Sequence, residues 1–232
     1  MTVTVYRGRA ATIDADRDAS RRLLEHAAAG ERAVRVWRPH RQVAFGRRDE
    51  NRDGYDLARE AARSHGFRPV SRRVGGRAVA YDGETTLAFV RAEPVEDLRT
   101  GIQDRYDAIT ADVTAALESS GVAVAEGEPA NAFCPGTHSL RLPDGPKVSG
   151  IAQRVTGDGA LVAGILLVDR IDELAAVLAD VYDALDVPLD PGSVGGVARA
   201  TSSVDPADVR RSLEGALAGD AATTVISIEE SD

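Results

Sequence analysis

Along this chain, apolar positions recur with a period of two in some stretches and of three to four in others. The switches between those periods divide it into elements. Residues 2–6 are rich in β-branched side chains and predict a strand. Residues 14–29 carry Ala19, Leu23, Leu24 and Ala27 at helical spacing and stop at Gly30, a helix-terminating signal. Residues 33–37 and 42–45 predict two short strands joined by Arg38-Pro39-His40, and residues 55–64 a helix closing before Gly66. An extended stretch at 67–73 is interrupted by Gly75-Gly76. The next two strands, 77–81 and 85–91, are expected to form a hairpin across Asp82-Gly83, a strong turn dipeptide.

The second half repeats this grammar. Ile102, Tyr106, Ile109, Val113 and Leu117 lie on one face of a predicted helix over 101–120. Strands are predicted at 122–124, 132–134, 139–142, 148–155 and 160–168, several of them separated by Gly/Pro turns. Helices at 171–185 and 206–217 flank a Gly/Pro stretch at 188–196, and a strand at 223–228 follows. Strands outnumber helices and hairpins come in series. The expected class is therefore α+β, with a mixed, largely antiparallel sheet and flanking helices. A single domain over 1–232 is expected, with 197–232 as a candidate small C-terminal appendage.

Composition narrows the function classes. A net charge of −9 argues against general nucleic-acid binding, which needs a basic face. No apolar run approaches the ~20 residues needed to cross a bilayer, and the amino terminus lacks the apolar core of a secretory signal, so a cytoplasmic protein is expected. One cysteine excludes an intramolecular disulfide and a Cys-rich zinc site, and the four histidines show no ligand spacing, so no metal is expected. The most informative count concerns lysine: of 28 basic residues, Lys147 is the single lysine. Arginine is a bulky, permanently charged fork, whereas lysine is a compact ammonium on a flexible stem. A site that needs the slender ammonium resists the exchange.

Three segments could carry chemistry. In the stretch from Ser71-Arg72-Arg73 through Val74 to Gly75-Gly76-Arg77, paired glycines let the backbone approach a ligand and nearby arginines can grip a phosphate or carboxylate. The structural alternative is a glycine bulge with solvated arginines. In Lys147-Val148-Ser149-Gly150, alternation puts Lys147 and Ser149 on one face, where an ammonium can stabilise charge developing on an acyl oxygen. Here the alternative is an edge strand blunted by a charge. Finally, Cys134 precedes a Pro135-Gly136 turn and could be an accessible nucleophile if a cation such as Lys147 or His138 stands beside it. Unpaired cysteine is, however, also among the most buried residue types.

Taken in this order, the segments resemble the lipoate–protein ligase and octanoyltransferase family, a branch of the biotin/lipoate ligase superfamily. Its members carry an arginine-rich stretch, a GG(G/R)AV loop ending in aspartate, and a downstream K-(I/V)-(S/A)-G-x-A strand. Gly75-Gly76-Arg77-Ala78-Val79, running on to Asp82, and Lys147-Val148-Ser149-Gly150-Ile151-Ala152 match these, and Phe45-Gly46-Arg47 is similar to an upstream FGR or IGR segment. The likeness covers residues 34–168, with a weaker echo at 201–217. Where the family pattern reads RRxxGG, only Arg72 falls on an arginine position, and Tyr81 stands where many relatives have histidine.

The resemblance implies a biotin/lipoate ligase-like catalytic domain that moves an octanoyl or lipoyl group onto the lysine of a carrier. It places Lys147 and Cys134 in catalytic roles and Arg72, Gly75, Gly76, Arg77, Tyr81, Ser149 and Gly150 around the substrate. Implied partners are lipoyl domains of 2-oxoacid dehydrogenases or the glycine-cleavage H protein, with acyl carrier protein as donor. Cys134 lies thirteen residues before Lys147, close to where cysteine-dependent octanoyltransferases keep their nucleophile, and Phe133-Cys134-Pro135-Gly136 replaces the GRND-like stretch of many ligases. Many ligases also carry a further activation domain that this length does not accommodate. That branch needs no cofactor. The ligase alternative would use free lipoate, ATP and Mg²⁺, with Lys147 on the lipoyl-adenylate and the accessory domain supplied as a separate subunit. A biotin ligase is disfavoured, since the GRGRxGR-like loop is absent. A non-catalytic module that binds lipoyl carriers is the alternative of another class.

Overall fold

The computed structural model describes residues 2–72, 76–97, 99–157, 159–201 and 204–228. In chain order its elements begin with β1 (Thr2–Arg7), α1 (Ile13–Ala28), β2 (Arg32–Trp37), β3 (Gln42–Phe45), α2 (Arg47–Glu50), α3 (Tyr55–Ser64), β4 (Arg68–Ser71), β5 (Val79–Tyr81) and β6 (Leu87–Glu93). There follow α4 (Ile102–Ser119), β7 (Ala125–Glu126), β8 (Ser139–Arg141), β9 (Lys147–Thr156), β10 (Gly159–Leu166), α5 (Ile171–Ala184), α6 (Pro206–Ala218) and β11 (Ala222–Ser227). The predicted helices fall within a residue or two of these positions, because each carries a clear apolar face with turn residues at its ends.

Among the described residues there are two sheets. The larger has the order β11-β1-β2-β6-β10-β9-β8-β7, and the smaller β4-β3-β5. Only β11–β1 and β1–β2 run parallel in the larger sheet; its other pairs are antiparallel. This is the α+β class that the pattern predicts. Period-two alternation divides β2 between two cores. Val34 and Val36 join Ile109, Val113 and Leu117 of α4 and Leu213 of α6 on one face, while Ala33 packs with Leu23 and Ala27 of α1 on the other. The smaller sheet is closed over by α3 and α5, with Val43, Phe45, Ala58, Ala62, Val177 and Tyr182 in a separate core. Among the described residues, no helix is long and apolar enough to cross a membrane.

Two local expectations are corrected. The turn at Asp82-Gly83 does not close a hairpin: β5 pairs with β3 in the smaller sheet, whereas β6 lies between β2 and β10 in the larger. Asp82 does make a turn, its carboxylate accepting from the N–H groups of Glu84, Thr85 and Thr86, but this turn hands the chain from one sheet to the other. Residues 122–124 and 132–134 are not strands either. Val122, Ala132 and Phe133 are buried, which explains their strand-like composition, but Asn131 and Cys134 have φ of 51° and 40° and bend the segment out of extended geometry.

Candidate active site

The two sheets meet at a cluster built from five places in the sequence. The chain leaving β4 supplies Arg72, and the approach to β5 supplies Gly76 and Arg77. The loop between β7 and β8 supplies Glu128 and Cys134, the first residue of β9 is Lys147, and α5 contributes Tyr182.

The Cys134 sulfur accepts from Arg72 Nη2 at 3.1 Å and from the Arg77 N–H at 3.4 Å. The same Arg72 nitrogen donates to the Arg77 carbonyl at 2.6 Å, tying guanidinium, turn and thiol together. Gly76, with φ of 90°, sits directly over this group, where a Cβ would lie 2.8 Å from the sulfur and 2.9 Å from Arg72 Nη2. Beneath it passes Gly46, whose Cβ would meet the Gly76 carbonyl oxygen at 2.1 Å, so the two chain segments cross in backbone contact. Asp49, fully buried, accepts from the Gly46 N–H at 3.0 Å and from Arg77 Nη1 at 3.4 Å.

Cys134 is a non-glycine residue in the left-handed region, a conformation that costs on the order of 1 kcal/mol or more unless its surroundings enforce it. Those surroundings are visible. Its N–H donates to the Tyr182 hydroxyl at 2.6 Å, which donates onward to the Ala78 carbonyl at 3.0 Å. Its carbonyl accepts from Lys147 Nζ at 3.0 Å. The remaining Lys147 contacts are to the Phe133 carbonyl at 3.1 Å and to Glu128 Oε1 and Oε2 at 3.0 and 3.1 Å. An ammonium has three protons, so four acceptors saturate it. Lys147 is 1% exposed, and β9 is flanked by β8 and β10, which rules out the role of a charge guarding a sheet edge. The strand is held from the other side as well, with Gly195 N–H donating to the Lys147 carbonyl at 2.8 Å.

Burial opposes the charge on Arg72, but Cys134 and Tyr81 beside it raise its pKa above the usual guanidinium value. Burial pushes Tyr81 up, with Arg72 acting in the opposite direction. Burial also drives Tyr182 upward, so it remains a neutral hydroxyl able to accept and donate at once. It likewise raises Asp49 in spite of the Gly46 and Arg77 donors.

Of the residues singled out in the sequence, Lys147, Cys134, Arg72, Gly76 and Arg77 are brought together, and Tyr81 lies close enough to couple to Arg72. Gly75 lies outside the described residues, as do Arg73 and Val74. Ser149 is fully buried and donates to the Ile165 carbonyl at 2.7 Å, and Gly150 lies under the lysine stem, where a Cβ would be 3.3 Å from Lys147 Cε. The cation at the sulfur is Arg72, whereas Lys147 binds the backbone carbonyl of Cys134; His138 stacks on the Tyr106 ring at 3.6 Å. Nothing in the sequence marks Glu128, Asp49 or Tyr182 as a site residue. Glu128 is one of 37 acids with no motif around it, and Tyr182 reads as an apolar position of α5. Among the described residues no group of His, Cys, Asp and Glu stands where it could hold a metal ion. Two open surface clefts, one beside α4 at Arg91 and Asp112 and one at Trp37 and Arg38, include neither Cys134 nor Lys147.

A family model described as the lipoyl protein ligase A/B catalytic domain matches residues 17–216. An octanoyl-[GcvH]:protein N-octanoyltransferase of Geobacillus kaustophilus (strain HTA426) is 32% identical over 144 residues, covering 62% of this chain and 50% of that protein. One of the same name from Lysinibacillus sphaericus (strain C3-41) is 27% identical over 152 residues, covering 65% and 54%. The chain thus spans about half the length of these relatives. Among solved structures, a lipoate-protein ligase A bound with ATP superposes with a TM-score of 0.71 at 20% identity, covering 99% of this chain and 90% of that one. A bi-partite lipoate protein ligase from Thermoplasma acidophilum gives 0.67 at 18% identity, covering 97% and 88%. At those identities the structures share the fold.

Proposed function

Because this chain belongs to the lipoyl protein ligase A/B catalytic domain family, we propose that it is an acyltransferase that moves an octanoyl or lipoyl group from an acylated carrier to the lysine of a lipoyl carrier protein through a thioester on Cys134. The observation that carries this reading is the Cys134 sulfur, held in a left-handed turn with two N–H donors aimed at it, one from Arg72 and one from the Arg77 backbone. The names of the sequence relatives support octanoyl transfer between carrier proteins. The reaction needs no resident cofactor.

The chemistry divides one difficult exchange into two easier ones. The Cys134 thiol gives up its proton and the sulfur attacks the acyl carbonyl. A C–S bond forms, electrons move onto the carbonyl oxygen, and collapse of that oxyanion expels the donor carrier's group, which takes up the proton. The ε-amine of the acceptor lysine then attacks the thioester. A C–N bond forms, the C–S bond breaks, and the proton released by the amine returns to sulfur. Arg72 and the Arg77 N–H both donate to the sulfur and fix the direction from which it attacks. Lys147 holds the Phe133 and Cys134 carbonyls, of the peptides before and after the Cys134 α-carbon, and reaches an acyl oxygen only by exchanging one of its present acceptors.

Intact mass spectrometry after mixing with octanoylated carrier tests the reading. The expected result is an octanoyl adduct on Cys134 that passes to a lipoyl domain without ATP and is lost in Cys134→Ala. Transfer that requires lipoate, ATP and Mg²⁺ and survives Cys134→Ala would replace it with a ligase. No mass gain on any acceptor under either condition would leave a carrier-binding module.

A further inference from the structure

We propose that Glu128 is a positioning residue of this site, acting through Lys147 to hold Cys134 in its reactive geometry; the proposal rests on the reading that Cys134 carries the acyl group. Glu128 touches neither the sulfur nor, on that reading, the acyl chain. Its carboxylate accepts from Lys147 Nζ through both oxygens, and its Oε2 also accepts from Ser139 Oγ and from the Gly136 N–H at 3.3 Å. One carboxylate therefore joins three points of the cysteine loop and its flanks: the lysine clamped to the Phe133 and Cys134 carbonyls, the turn two residues after the cysteine, and the first residue of β8.

The chemistry of the contacts explains why an acid is needed. Lys147 and the Gly136 N–H can only donate, and the Ser139 hydroxyl donates to complete the set, so the group at their centre must be acceptor-only. A glutamine of the same size turns an NH₂ towards these donors. It also leaves the ammonium, 1% exposed, without its counter-charge. The lysine then loses its anchor, the two carbonyls lose a fixed donor, and Cys134 is freed to relax from φ of 40° and swing its sulfur away from Arg72 and Arg77. A displacement of about 1 Å at a reacting atom can cost about a hundredfold in rate.

The test is a double-mutant cycle on octanoyl transfer with Glu128→Gln, Lys147→Met and the double variant, each verified as folded by urea denaturation. Glu128→Gln is expected to lower kcat by about ten- to a hundredfold, with KM for the carrier changed by less than about twofold. In the Lys147→Met background, Glu128→Gln should cost far less than in wild type, because only its contacts to Gly136 and Ser139 remain. Alkylation of Cys134 by iodoacetamide, which needs no acyl donor, should slow in Glu128→Gln, and the double variant should differ little from Lys147→Met alone. An unchanged kcat and alkylation rate in Glu128→Gln, or effects that multiply across the cycle, would overturn the proposal. If wild-type protein transfers the chain with no adduct on Cys134, the thioester reading falls by itself, while the cycle on overall transfer and alkylation still decides whether Glu128 acts through Lys147.

Discussion

Replacing Gly46 by alanine probes the site through a contact that touches neither sulfur nor ammonium. The backbone at Gly46 has φ of −88° and ψ of 167°, open to any residue, so alanine is not strained there by its own torsions. The added methyl would stand 2.1 Å from the Gly76 carbonyl oxygen, 2.7 Å from its carbon and 3.3 Å from the Arg77 nitrogen. A carbon–oxygen contact needs more than about 3 Å, so the two segments must part by about 1 Å, and both partners are backbone that cannot rotate aside. Overpacking of this kind costs about 1–3 kcal/mol, offset by about 0.5 kcal/mol because alanine restricts the unfolded chain more than glycine. Moving the Arg77 N–H by the same distance takes it out of hydrogen-bond range of the Cys134 sulfur, now 3.4 Å away. Thioester formation should fall by up to about a hundredfold, more than the stability loss would suggest. Urea denaturation and single-turnover mass spectrometry measure the two effects. Gly46→Ala with wild-type stability and wild-type acylation would refute the backbone crossing and, with it, the way the turn is positioned.

Two further substitutions test separate parts of the argument. Tyr182→Phe removes the acceptor of the Cys134 N–H and the donor to the Ala78 carbonyl in a fully buried position, and should cost about 1–3 kcal/mol in urea together with a lower acylation rate. Unchanged values for both would show that the hydroxyl does not hold the cysteine loop. Asp82 tests the link between the sheets. Burial works to raise its pKa, but the Thr85 hydroxyl and the N–H groups of residues 84–86 outweigh it and leave the carboxyl below the usual 3.8. A group with a depressed folded pKa contributes stability that is present above its unfolded value and is lost as pH falls through the folded one. Asp82→Ala should therefore lower stability at neutral pH and flatten the part of the acid decline below about pH 4 in urea titrations. A parallel offset at every pH would contradict the assignment.

Much of the architecture could be read from the residue pattern because it is set by local rules. Amphipathic spacing and end signals located the long helices, and alternation located most strands, since each of these depends on neighbours a few residues away. The paired glycines, the lone lysine and the lone cysteine also stood out, because each is chemically unusual in its own segment. Partnership is a different matter. Asp82-Gly83 encodes a turn, yet which strands lie beside β5 and β6 depends on which faces they must bury, and that placed them in separate sheets. The sequence offers Lys147 and His138 as candidates for a cation near Cys134. Tertiary packing instead gave the sulfur to Arg72, because the crossing of Gly46 and Gly76 brings the end of β4 over the cysteine loop. Glu128 shows the limit most clearly. It acquires its role only when the chain returns nineteen residues later to bury an ammonium that must be neutralised, and an isolated glutamate in an acidic chain carries no local mark of that duty.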